Sequence, residues 1–265
     1  MTQTIPRPTR RPKAYRNEEF LNSADARPLR ILSEYLEPLS HFRKQKIHDT
    51  IVFFGSARIQ ESGPMGRYYQ EARALARLVT EWSNHLQNTS RRFVVCTGGG
   101  PGIMEAANRG ALDAGGKTIG LNIGLPSEQW PNPFITPELS FEFHYFFMRK
   151  FWFAYLAKAL VVFPGGFGTL DELSELLTLA QTEKLAKKII IVLYGTQFWR
   201  EILNFDALVR HGMISASDLD LFQWADDPES AFRLLQEGLT KYYLQPETAF
   251  PLPETETPAI ARSRV

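Results

Sequence analysis

The sequence predicts an α/β protein, a doubly wound and mostly parallel sheet with helices on both faces. Three observations predict it. Short apolar runs at residues 51–54, 93–96, 118–123, 141–145, 161–163 and 189–193 alternate with segments of helical period. Three of those runs end in glycine-rich turns, at Gly55-Ser56, at Gly98 to Gly102 and at Gly165 to Thr169. Ligands of such sheets bind beyond the carboxyl ends of the strands, where the winding reverses, so the three turns are expected to converge on one crevice.

Taken in order, residues 1 to about 25 mix proline, arginine and polar residues without period, which predicts a mobile arm or one packed on a neighbouring subunit. Ile31, Leu32, Tyr35, Leu36 and Leu39 then recur at helical spacing and predict an added helix. The first strand, 51–54, leads through Gly55-Ser56-Ala57-Arg58 and Gly63-Pro64 into a helix carrying Tyr68, Ala72, Leu75, Val79, Trp82 and Leu86. The second strand, 93–96, runs through Thr97 to Gly102 into a helix whose Ala106, Ala107, Gly110, Ala111 and Ala114 allow close approach to a sheet. Strand 118–123 opens into a proline-marked loop at 125–139, long enough for either a lid or a passive excursion. After strand 141–145, a helix from about 147 to 159 carries Arg149 and Lys150. The strand at 161–163 follows, then a helix with Leu173, Leu176, Leu177 and Ala180. A strand at 189–193 and helices at 198–209 and 231–243 complete the fold, and a proline-containing tail follows Gln245. The expected division is an arm and added helix at 1–48, a nucleotide-binding catalytic domain at 49–244 and a tail at 245–265.

Composition excludes several classes. A net charge of +1 gives no nucleic-acid signal, and 44% hydrophobic with 22% charged residues is ordinary for a globular chain. The single cysteine, Cys96, excludes an intrachain disulfide and any cysteine-rich zinc site, and its apolar neighbours predict a buried, inert thiol. The five histidines are scattered and no metal site is expected. The arginine-rich start lacks a following apolar segment, and the apolar run 151–163 is interrupted by Lys158, so a cytoplasmic protein without a membrane partner is expected. Neither glycine cluster is a Walker A loop or a full dinucleotide fingerprint, because the lysine-hydroxyl pair and the third glycine are missing.

The stretch VVFPGGFGTLDE, residues 161–172, carries the functional signal. It reads as strand, glycine-rich turn and helix, a geometry that aims main-chain N–H groups and the positive end of a helix dipole at one point, where a phosphate fits. Thr169-Leu170-Asp171-Glu172 also reads as a capping box, a purely local role. Gly165, Gly166 and Gly168 together leave room for close approach to the backbone. Glu172 beside that turn, with Arg149 arriving from the preceding helix, suits hydrolysis of an N-glycosidic bond, whose transition state builds positive charge on the ribose. The same crevice suits a protein that only holds a nucleotide or phosphate-bearing cofactor, as molybdenum-cofactor carriers do.

Pro164-Gly-Gly-Phe-Gly-Thr-Leu-Asp-Glu172, with Arg149-Lys150 upstream, strongly resembles the Lonely Guy family of cytokinin-activating enzymes, older relatives of which were labelled lysine decarboxylases. The resemblance runs from about residue 51 to residue 209. It implies a Rossmann-like homo-oligomer, a dimer or larger, that needs no cofactor and cleaves nucleoside 5′-monophosphates to free base and ribose 5-phosphate. It assigns catalysis to Arg149 and Glu172, and phosphate binding to Gly165, Gly166, Gly168 and Thr169. Ser56, Gly98, Gly99, Gly100, Gly102, Glu105 and Lys150 complete the expected nucleotide-binding set. Phe146-Phe147-Met148 stands where plant-type members have Met-His-x, and the first glycine block has Thr97 and Glu105 where they often carry glycine. The base is therefore left open between adenine and an N6-substituted adenine.

Overall fold

Seven strands form one sheet in the order β4-β3-β2-β1-β5-β6-β7, with every neighbouring pair parallel. They are β1 (Thr50–Phe54), β2 (Val94–Thr97), β3 (Thr118–Ile123), β4 (Ser140–Phe143), β5 (Ala157–Val162), β6 (Ile190–Tyr194) and β7 (Gln223–Ala225). The structure, a computed structural model, describes residues 11–86, 90–124, 130–185 and 187–245. The chain winds outward from β1 to β4 and then returns to β1's other edge with β5, so the winding reverses between β1 and β5. β1 and β5 are almost wholly buried, as expected of a parallel sheet covered on both faces.

The helices divide between the two faces. On one, α3 (Gly66–Asn84), α4 (Ile103–Asp113) and α9 (Pro228–Leu239) cover Ile51, Phe53, Val95, Val161 and Val192. On the other, α2 (Arg27–Lys44), α5 (Phe146–Leu156) and α6 (Phe167–Gln181) cover Val52, Phe54, Cys96, Leu160 and Val162. The Rossmann-like α/β class read from the sequence is the observed one. The small residue Gly110 of α4 serves a different contact from the expected one with the sheet: a Cβ there would run into the backbone of Arg73 on α3.

Several boundaries differ from the sequence reading. The helix expected to reach residue 159 stops at Leu156, and β5 begins at Ala157 with no intervening loop. An unbroken apolar run hides the junction of a buried helix with a buried strand. Lys187 Nζ marks it in the structure, donating to Ala154 O and Tyr155 O at 2.7 Å each, the carbonyl end of α5. The helix expected at 198–209 is two helices, α7 (Thr196–Ile202) and α8 (Phe205–Arg210), because Asn204 caps the second through Ala207 N. Strand β7 is only three residues long, too short to show a period. Before residue 25 the chain contains a 3₁₀ turn at Ala14–Arg16 and α1 (Glu18–Leu21), capped by Asn17. The tail from 246 onward, residues 1–10 and part of the proline-marked loop, 125–129, lie outside the described residues.

Candidate active site

Three loops meet at the carboxyl end of the sheet, and Ser56 ties them together. Its N–H donates to Pro164 O at 3.0 Å, joining the turn after β1 to the turn after β5. Its carbonyl accepts from Ile103 N at 3.2 Å, joining it to the start of α4. Gly102 makes that approach possible: it sits at φ +70°, and a Cβ there would collide with Ser56 O. Gly102→Ala is expected to cost about 1–3 kcal/mol through combined backbone strain and clash, read as a drop in urea-unfolding stability.

The loop at 98–100 is held by a buried polar network that the sequence reading missed. Thr97 Oγ1 donates to Asn108 Oδ1 at 2.7 Å and accepts from Gly99 N at 2.9 Å. Asn132 N donates to Gly99 O, while its side-chain amide donates to Gly100 O and Asn108 Oδ1. The Asn122 amide fills the space that a Cβ on Gly99 would take. A fully satisfied buried network of this kind fixes a loop in one shape. It also pins the described part of the proline-marked loop, since Asn132 belongs to it. No local pattern announces this role of Asn132, because the groups its side-chain NH₂ reaches lie 24 or more residues away.

The turn 164–169 delivers the helix start expected for a phosphate site, with one correction. Helix α6 begins at Phe167 with Gly166 as its N-cap and no side-chain cap. The capping box read at Thr169 to Glu172 is therefore not formed, because the glycines let the helix start three residues earlier. Leu170 N is bonded back to Gly166 O at 3.0 Å, and the amides ahead of it in the first turn are the usual unpaired donors of a helix start. Thr169 is buried against Gly165, where any Cβ would clash with its side chain, and Gly166 and Gly168 are open to solvent.

Glu172 then falls in the second turn of α6, 6% exposed, and its carboxylate makes no hydrogen bond or close ion pair among the described residues. Burial pushes its carboxyl up to about 7, against the charges of Lys150 and Arg149, which pull it down. Arg149 is half-buried beside it: a Cβ at Gly98 would lie 3.0 Å from Arg149 Nη2, and its guanidinium stands 5.2 Å over the Phe153 ring. Desolvation lowers the guanidinium from its usual range, and Glu172 is the first of the charges that hold it up. Its Nε is buried with no partner among the described residues. Lys150 bonds Asp171 at 2.8 Å and Glu175 at 2.9 Å, locking α5 against α6 so that Arg149 and Glu172 share one space.

The structure thus brings Ser56, Gly98, Gly99, Gly100, Gly102, Arg149, Lys150, Gly165, Thr169 and Glu172 to the same end of the sheet. Glu105 stands apart: its carboxylate accepts from Tyr69 of α3 at 2.8 Å, and nothing in its contacts links it to Arg149 or Glu172. Cys96 is buried, and burial drives its thiol well above the ordinary range. Among the described residues no group of histidine, cysteine or carboxylate side chains is placed to hold a metal ion, and no helix is long and apolar enough to cross a membrane.

Comparison with known proteins follows the same lines. The family described as "Possible lysine decarboxylase" matches residues 104–235. The chain is 28% identical over 200 residues to cytokinin riboside 5′-monophosphate phosphoribohydrolase LOG3 of Arabidopsis thaliana, covering 74% of this chain and 85% of that protein. It is 27% identical over 203 residues to LOG2 of the same plant, covering 75% and 87%. Among solved structures, that of TM1055 superposes with a TM-score of 0.51 at 20% identity over 71% of this chain and 99% of that one, a likeness of fold alone. The molybdenum cofactor carrier protein MCP of Chlamydomonas reinhardtii superposes at 0.48 with 23% identity, covering 72% and 99%.

Proposed function

We infer, from a chain that belongs to the possible lysine decarboxylase family and whose relatives are named phosphoribohydrolases, that this cleft hydrolyses the N-glycosidic bond of a nucleoside 5′-monophosphate. The substrate is AMP or an N6-substituted AMP, and the products are the free base and ribose 5-phosphate. The observation that carries the reading is Glu172: a buried carboxylate without a bonding partner among the described residues, one turn beyond an uncapped helix start whose amides suit a phosphate.

The 5′-phosphate sits on the amides of residues 166–169 and on the Thr169 hydroxyl, which fixes the ribose beside Glu172. As the bond from C1′ to the base nitrogen breaks, its electron pair leaves with the base and positive charge builds on the sugar. Ionised Glu172 stabilises that charge and takes a proton from the water whose oxygen bonds to C1′; that proton passes on to the departing base, which leaves neutral, and the carboxylate is restored. Arg149 orients the sugar and the carboxylate. Residues 1–48 as arm and added helix, 49–244 as catalytic domain and 245–265 as tail, with a homo-oligomer in the cytoplasm, belong to the same proposal.

Base release measured across AMP, N6-substituted AMP, other monophosphates and adenosine tests the reading. Adenine or its N6-substituted form and ribose 5-phosphate should appear in equal amounts from the matching monophosphate, and adenosine should be a poor substrate. Tight retention of AMP with no release would favour a carrier instead.

A further inference from the structure

α2 precedes the sheet and lies outside the residues matched by the family, yet it reaches the helix that bears Arg149. One residue makes the connection. The Glu34 carboxylate accepts from His144 N at 2.8 Å with one oxygen and from Tyr145 N at 3.2 Å with the other. The Glu34 main-chain carbonyl accepts from Trp152 Nε1 at 2.9 Å.

That carbonyl is free for a reason written in the sequence. In a helix the carbonyl of residue 34 would take the N–H of residue 38, but residue 38 is Pro38, which has none. A proline inside α2 thus leaves an acceptor that the indole of Trp152 satisfies. Tyr35 stacks on the same indole at 5.6 Å and Phe42 meets it edge-on at 5.2 Å, so the acceptor and its donor are held in register.

The grip leads directly to the guanidinium. α5 has no side-chain cap of its own at Tyr145. The N–H of Tyr145 is held by Glu34, and the carbonyl of Tyr145 accepts from Met148 N at 3.1 Å and Arg149 N at 3.2 Å. The first turn of α5 is therefore suspended between α2 and Arg149. A carboxylate is the right group for this place, since it answers two successive N–H groups at the positive end of a helix.

We propose that Glu34 is a positioning residue of the cleft, which fixes the Tyr145 peptide and so sets where α5 carries Arg149 over Gly98. The role rests on the assignment of Arg149 given above. The added helix is thus part of the working site.

Glu34→Gln in the full chain tests it. Glutamine keeps the size but sets an NH₂ group against a backbone N–H. The turnover of AMP should fall about tenfold with KM changed less than about twofold, because the phosphate turn belongs to α6 and only the alignment of Arg149 is disturbed. Leu39→Ala, which loosens the packing of α2 without touching these bonds, should lower Tm and leave turnover as in the wild type. Amide exchange in residues 144–149 of the nucleotide-free protein gives a readout independent of hydrolysis: it should quicken in Glu34→Gln beyond Leu39→Ala. Unchanged turnover with unchanged exchange in Glu34→Gln, or an equal loss of turnover in Leu39→Ala, would overturn the proposal. A wild-type protein that releases no base would instead remove the hydrolytic reading, with exchange still deciding whether Glu34 holds α5.

Discussion

Glu172→Gln is expected to reduce base release from AMP by about 10²- to 10⁴-fold, the usual worth of a positioned acid or base, while raising the protein's stability at alkaline pH. Both effects come from one fact, the burial of a carboxyl whose pKa is pushed up to about 7 from 4.5. The folded state holds this proton more tightly than the unfolded chain. Between pH 4.5 and 7 it therefore binds more protons, and stability falls as pH rises through that window. Above pH 7 the cost of the buried charge is fully present, up to about 3 kcal/mol. Urea unfolding at pH 8 should show Glu172→Gln more stable than the wild type, and at pH 4 the two should nearly coincide. In the wild type, kcat/KM should rise with pH through an acid limb near 7, because the ionised carboxylate does the work. A variant that lost activity and stability together would point to a structural role for Glu172.

Arg149→Met should lower turnover by about 10²- to 10³-fold, the scale seen when one preorganised electrostatic contact is removed. Its second effect separates it from a simple packing defect. Arg149 and Lys150 both hold the Glu172 carboxyl down against burial. Loss of one of these charges should move the acid limb of kcat/KM to higher pH than in the wild type. Arg149→Lys should not restore full activity, because a lysine lacks the planar fork that lies over Gly98 and Phe153. A pH–rate profile for each variant checks both statements.

Much of this arrangement is legible from residue order alone. Strands that end in glycine turns place Ser56, Gly98 and Gly165 at one end of a parallel sheet, and the spacing of Arg149 and Glu172 puts them on successive helices. What local pattern does not reveal is long-range partnership. Glu34 meets residues 110 and 111 positions away, and Asn132 reaches back 32 residues to Gly100. Pro38 reads as a flaw in a helix until Trp152 is seen to use the carbonyl it frees. The capping-box reading of Thr169 failed because the box needs the threonine at the helix boundary, whereas Gly165 and Gly166 let the turn close sooner. Glu105 has the position of a phosphate-loop residue, but a tyrosine on the neighbouring helix takes its carboxylate.

A crystal structure of the Glu172→Gln protein with AMP tests the central claim most directly. With the phosphate on the amides of residues 166–169, the side chain at position 172 should stand within about 3.5 Å of C1′ or of a water poised against it, with the Arg149 guanidinium on the same side of the ribose. A phosphate bound elsewhere, or a ribose whose C1′ faces away from position 172, would contradict the account.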